Sequence, residues 1–100
     1  MTTIDIAHRH SLPRGGARRA ADFLVKDLEA RLGLSGLIAQ WRRDTLYLSA
    51  CTGPAQGTTG EVALGEDAVR VTLSLSPAHL MMRKTIEVGV AQFLKKSFSS

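Results

Sequence analysis

The amino-acid sequence predicts an α+β domain of order β-α-β-β-β-β-α, a curved antiparallel sheet packed against two helices, chiefly the C-terminal one. Three observations lead there. Between Pro13 and Leu32 apolar residues recur every three or four positions, the spacing of one helical face. From Gly36 to Leu75 the apolar period drops to two, in four successive runs that suit a meander. After Ser76-Pro77 the helical spacing returns.

Each element follows in turn. Thr3, Ile4, Asp5, Ile6, Ala7 and His8 alternate, so Ile4 and Ile6 share one face of a first strand. Ser11 offers an N-cap oxygen and Pro13 suits a first helical turn. Ala17, Ala20, Ala21, Leu24, Leu28 and Leu32 then make one stripe on a helix over 13–32, which Gly33 is placed to end. Gly15 and Gly16 weaken its first turn, a cost that close approach of another group to the backbone would explain. Leu37, Ala39 and Trp41 share a face of the next strand, and residues 42–45 read as a turn. Leu46, Leu48 and Ala50 share a face of the strand after it, with Tyr47 and Ser49 opposite. Residues 49–60 form a looser Gly/Thr/Pro connection before a short strand carrying Val62 and Leu64. Gly65-Glu66-Asp67 is a tight turn, and Val69, Val71, Leu73 and Leu75 define the last, half-buried strand.

In the C-terminal helix, Met82, Ile86, Gly89, Val90, Phe93 and Ser97 form one face. Arg83, Lys84, Glu87, Ala91 and Lys95 form the other. Leu80, Met81, Val88 and Leu94 widen the apolar arc, giving a candidate contact surface for a partner subunit or a lipid-like phase. Residues 95–100 are expected to fray, leaving an ordered core of about 3–95 in one domain spanning 1–100.

Composition narrows the function. One hundred residues, 44% apolar and 22% charged, make a single small globular domain. The net charge of +4 suggests affinity for anions. Cys51, the lone cysteine, allows neither an intrachain disulfide nor a cysteine-based metal cage. No run approaches the roughly 18 apolar residues of a membrane span, and no secretory leader opens the chain, so the expected location is the cytoplasm.

The stretch from Ile4 to Ala20 concentrates the chemistry-bearing side chains. His8 and His10 have the spacing of a metal-binding pair, but a metal needs a third and usually a fourth ligand. Only His79, Cys51 and scattered carboxylates remain, and Arg9 and Arg14 repel a cation. The better expectation has His8 on the inner face of the strand and His10 bonding backbone at the strand-to-helix corner. Ser11, Cys51, Asp5 and His79 carry no catalytic motif, and residues 15–18 lack the lysine and hydroxyl of a phosphate loop. The sequence therefore predicts a protein that is not an enzyme and takes no cofactor or metal. Arg9, Arg14, Arg18, Arg19, Arg42 and Arg43 are candidates for an anion-binding surface. With few exposed aromatics among them, nucleic acid is the less favoured partner.

Several stretches together resemble the putative polyhydroxyalkanoic acid system family over about residues 4–95. They are the start marked by Ile4, Ile6, His10 and Leu12, Trp41 leading into the second hairpin strand, the Gly60-Glu61-Val62 strand, the run Val69–Ser76 and the final amphipathic helix. Where many relatives carry Gly after the His-x-Leu, this chain has Pro13. The resemblance implies a small bacterial protein associated with polyhydroxyalkanoate storage, at the granule surface or on a granule protein. It implies no catalytic residue, and His10 matches a family position without an implied role. The leading expectation is thus a non-catalytic accessory protein. The alternatives are an apolar-ligand carrier with a pocket between sheet and C-terminal helix, or a basic nucleic-acid-binding regulator. Homodimerisation through the apolar surface remains an open expectation.

Overall fold

A computed structural model describes residues 3–30, 36–50 and 56–98. The element order is β1 (Thr3–Arg9), α1 (Arg14–Ala30), β2 (Leu37–Arg42), β3 (Thr45–Ala50), β4 (Thr59–Leu64), β5 (Ala68–Ser74), a 3₁₀ turn (Pro77–Met82) and α2 (Arg83–Ser97). The expected helix end at Leu32 and Gly33, and Cys51, lie outside the described residues.

The five strands form one open antiparallel sheet in the order β1-β5-β4-β3-β2. β2 to β5 are the expected meander, and β1 closes onto β5 with Ile4 opposite Leu73 and Ile6 opposite Val71. The period of two sorts side chains onto two faces. Leu46, Leu48, Val62, Val69, Val71, Leu73 and Ile4 are buried on one face. Thr45, Tyr47, Glu61, Arg70, Thr72 and Asp5 lie on the other. Both helices cover the apolar face: α1 packs on β2 and β4, and α2 packs on β1 and on α1.

The hairpin between β2 and β3 turns in two residues, Arg43 and Asp44, with Arg43 at φ 56°. Gly60 sits where β4 passes β5: a Cβ there would stand 2.8 Å from the Thr72 carbonyl oxygen. Gly15, by contrast, faces open space, so no close approach explains it.

Four expectations need correction. Helix α1 starts at Arg14, and Pro13 holds the position before it, its carbonyl accepting from the Ala17 N–H at 2.9 Å. Ser11 thus lies three residues ahead of the helix rather than at its cap. The C-terminal helical segment opens as a 3₁₀ turn, whose tighter winding rotates Met82 out of phase with Ile86 and leaves it exposed. Leu94 is fully buried and so leaves the candidate contact surface. The reason is that α2 is enclosed by β1 on one side and α1 on the other, which widens its buried arc to Ile86, Gly89, Val90 and Leu94. Finally, α2 runs to Ser97 without fraying, and Phe98 is fully buried beneath it. A Phe side chain moved from water to this interior stabilises the fold by about 1.5–3 kcal/mol.

Candidate functional site

The strand-to-helix corner is built around His10. Its backbone N–H donates to the Asp67 carbonyl at 2.9 Å, tying the end of β1 to the β4–β5 turn. Its Nδ1 accepts from the Leu12 N–H at 3.1 Å, which places the proton of a neutral ring on Nε2. Nε2 is buried with no hydrogen-bond partner among the described residues. The ring meets Phe98 edge-on, centroids 5.5 Å apart at 67°. His10 therefore works as a packing and backbone-bonding residue that locks the corner to the C-terminus, and His8 is half-buried on the Ile4 face of β1. A cleft of about 500 Å³ opens beside the corner, lined by His10, Leu12, Arg14, Asp44, Leu64 and Glu66 among others. Across it Arg14 grips Asp44, with Nε donating at 2.8 Å and a second nitrogen 2.6 Å from the same oxygen. Two of its ionised groups, Arg14 and Asp44, are thus committed to each other.

The six candidate arginines divide: Arg14, paired with Asp44, and Arg18, over Trp41, stand beside the β2–β3 hairpin that carries Arg42 and Arg43, whereas Arg9 is on the far edge strand. β1 and β2 are opposite edges of the sheet, so Arg9 is separated from Arg42 by four strand spacings, about 19 Å. Arg14 is held by Asp44. Arg18 lies over the Trp41 ring at 4.5 Å, while the Trp41 indole N–H donates to Asp22 at 3.1 Å. That three-residue clasp fixes α1 to the edge strand, a structural use of both the arginine and the tryptophan. Arg42 approaches the Tyr47 ring at 6.0 Å, and Arg43 occupies the hairpin turn. Arg19 is exposed and, unlike Arg14 and Arg18, makes no ion pair or ring contact among the described residues.

Sequence reasoning missed a buried polar cluster at the other end of the sheet. Ser76 Oγ lies 3.1 Å from His79 Nδ1, and the Ser76 N–H donates to Thr58 Oγ1 at 3.1 Å. A hydroxyl beside an imidazole resembles an activated nucleophile, but Thr58, Ser76 and His79 are all buried, and no carboxylate is hydrogen-bonded to His79 among the described residues. The cluster pins the start of the 3₁₀ turn to β4. The Ser-x-x-His spacing was its only sequence signal. Among the described residues no group of three or more His, Cys, Asp or Glu is placed to hold a metal ion.

The apolar candidates divide. Met81 is 99% exposed, Leu80 42% and Val88 46%, whereas Leu94 is buried. Met82 joins the exposed set. These side chains follow one another along the 3₁₀ turn and the first turns of α2. The interior between sheet and α2 is filled by Ile4, Val71, Leu73, Ile86, Val90, Leu94 and Phe98, where an apolar-ligand carrier would need space. No helix among the described residues is long and apolar enough to cross a membrane.

The model of a family described as putative polyhydroxyalkanoic acid system protein matches residues 4–98, nearly the whole chain. No curated protein and no solved structure matches.

Proposed function

Since the chain belongs to the putative polyhydroxyalkanoic acid system protein family, we propose that it is a non-catalytic accessory protein of polyhydroxyalkanoate storage. It contacts the granule, or a protein on it, through Leu80, Met81 and Val88. The observation that supports this most is Met81. A methionine side chain left almost wholly in water at a helix entry adds nothing to the fold, and Leu80, Met82 and Val88 extend the same apolar stretch. Methionine is also a flexible, polarizable side chain that adapts to irregular apolar surfaces. The non-catalytic part is supported by how the histidines are spent: His10 on Leu12 and Phe98, His79 on Ser76 in a buried cluster.

Purified protein mixed with polyester granules and with inert beads of equal surface area tests this. Selective retention on granules, reduced by Leu80→Ser with Met81→Ser, is the expected result. Equal retention on both surfaces, or retention on neither, overturns it.

A further inference from the structure

The outside of the helical layer has a charge pattern that apolar contact alone does not use. β1 delivers the chain to α1 at one end of the sheet, and β5 delivers it to the 3₁₀ turn at the other, so the helices run antiparallel in one layer. At about 100° per residue, the buried stripe of Ala17, Ala21, Leu24 and Leu28 sets the inward direction of α1. Arg19, Phe23 and Lys26 then point away from the sheet, and all three are exposed. In α2 the buried Ile86 and Val90 set the same direction, and Lys84, Val88 and Lys95 point outward and are exposed.

This surface is basic and apolar at once. Arg19, Lys26, Lys84 and Lys95 form no ion pair among the described residues. Of the acidic side chains on the helices, Asp22 lies about as far round α1 as Phe23 but accepts from Trp41 at 3.1 Å, Glu29 is exposed beyond it on the same side, Asp27 is half-buried, and Glu87 faces Arg83 at 3.7 Å. Between the cations stand Phe23, 54% exposed with Lys26 Nζ 5.5 Å from its ring, and Val88, with Met81 at the entry to α2. A neutral polyester has no use for four unpaired cations. A nucleic acid does not reward exposed Met and Val, and Phe23 alone offers a stacking face. Cations surrounding protruding apolar side chains are the signature of binding at an anionic, acyl-chain-bearing interface.

We propose that the outer face of the helical layer binds an anionic lipid surface. It seats Phe23, Met81 and Val88 among acyl chains and Arg19, Lys26, Lys84 and Lys95 among acidic headgroups. This deepens the granule reading, since Met81 and Val88 serve both, but it needs no polyester. The test is co-sedimentation with vesicles of phosphatidylglycerol mixed with phosphatidylcholine, against vesicles of phosphatidylcholine alone. Binding is expected only to the anionic vesicles, weakening as salt is raised. Lys26→Glu and Lys84→Glu should each lower partitioning about fivefold or more, the effect of one basic residue near an anionic surface. Phe23→Ser and Met81→Ser should lower it as well. Arg9→Glu makes the same charge change on the opposite face of the sheet and should leave binding within about twofold, the response expected of a charge far from the surface. Equal binding to both vesicle types, binding to neither, an equal loss with Arg9→Glu, or displacement from vesicles by a duplex oligonucleotide overturns the proposal. If granules retain the protein while anionic vesicles do not, the lipid proposal alone falls. If vesicles bind it and granules do not, the granule reading falls and the lipid proposal stands.

Discussion

Replacing Gly60 by alanine should destabilise the protein even though alanine is ordinarily the better residue. In an extended strand interior, Gly→Ala stabilises by about 0.5–1 kcal/mol, because the unfolded chain loses fewer conformations. At Gly60 the added methyl would stand 2.5 Å from Leu73 Cδ2 and 2.8 Å from the Thr72 carbonyl oxygen. Leu73 is 1% exposed, so its Cδ2 has little empty space to enter. The Thr72 oxygen is backbone of β5 and moves only if the strand does. Overpacking of this kind costs about 1–3 kcal/mol, and a contact with backbone belongs near the top of that range. The net loss is about 2 kcal/mol, a fall in Tm of about 8–16 °C for a domain of this size. Gly15→Ala is the matched control: its methyl meets nothing within 4 Å and lies in the first turn of α1. It should stabilise by about 0.5–1 kcal/mol. Thermal unfolding followed by far-ultraviolet circular dichroism reads both. An unchanged or raised Tm for Gly60→Ala would refute the close approach of β4 and β5, and Leu73→Val added to it should restore only part of the loss.

Three further perturbations follow from the same geometry. Arg43→Gly should raise stability by about 1 kcal/mol in urea unfolding, because a left-handed φ of 56° strains any residue with a Cβ; a lower midpoint would contradict that backbone. Phe98→Ala should cost about 3 kcal/mol or more, since the ring is fully buried against His10; a loss below about 0.5 kcal/mol, the usual limit for surface changes, would return the C-terminus to the fraying expected from sequence. The Arg70 guanidinium, donating from Nε at 2.9 Å, holds the Asp5 carboxyl below the ordinary aspartate value of 3.8. A depressed folded-state value means that the pair's contribution is present above the unfolded value and is lost as pH falls through the folded one. A carbon-detected titration should show Asp5 ionising below 3.8 in the native protein and returning toward it in Arg70→Met.

How far the fold was legible follows from which signals are local. The period of two in Val69–Leu75 and the Ala/Leu stripe of α1 are properties of a few adjacent residues, and both elements formed as read. Trp41 was visible as a marker, but its clasp with Arg18 and Asp22 joins two elements 19 or more residues apart and has no local trace. The phase of the C-terminal helix failed for a different reason. The turn from Pro77 to Met82 is wound as 3₁₀, so extrapolating a 3.6-residue period back through it put Met82 inside, while Leu94 is buried because α2 is enclosed by both β1 and α1, a tertiary effect with no local signal. At the corner, the bond of His10 to backbone was legible from its place between strand and helix; the ring of Phe98, 88 positions away, was not.

The basic cluster at the start of α1 shows how structure separates fold from function. Of three arginines in the first two turns, Arg14 stands in the first, where the macrodipole disfavours a cation by some tenths of a kcal/mol, and no acidic residue is there to offset it. Two find local use. Arg14 takes Asp44 across the corner cleft, and Arg18 takes the face of Trp41. Arg19 has no ion pair or ring contact among the described residues, and the direction it points is shared with Lys26, Phe23, Lys84 and Val88. An exposed arginine with no ion pair among the described residues serves something outside the chain, or it is indifferent. The two differ in what Arg19→Glu does. An indifferent arginine makes that change alter no binding, whereas an arginine held for an anionic surface makes the same variant leave the vesicle. Arg19 lies past the first turn of α1, where the macrodipole has faded, so Tm should move little in either case, and the loss of binding decides between them.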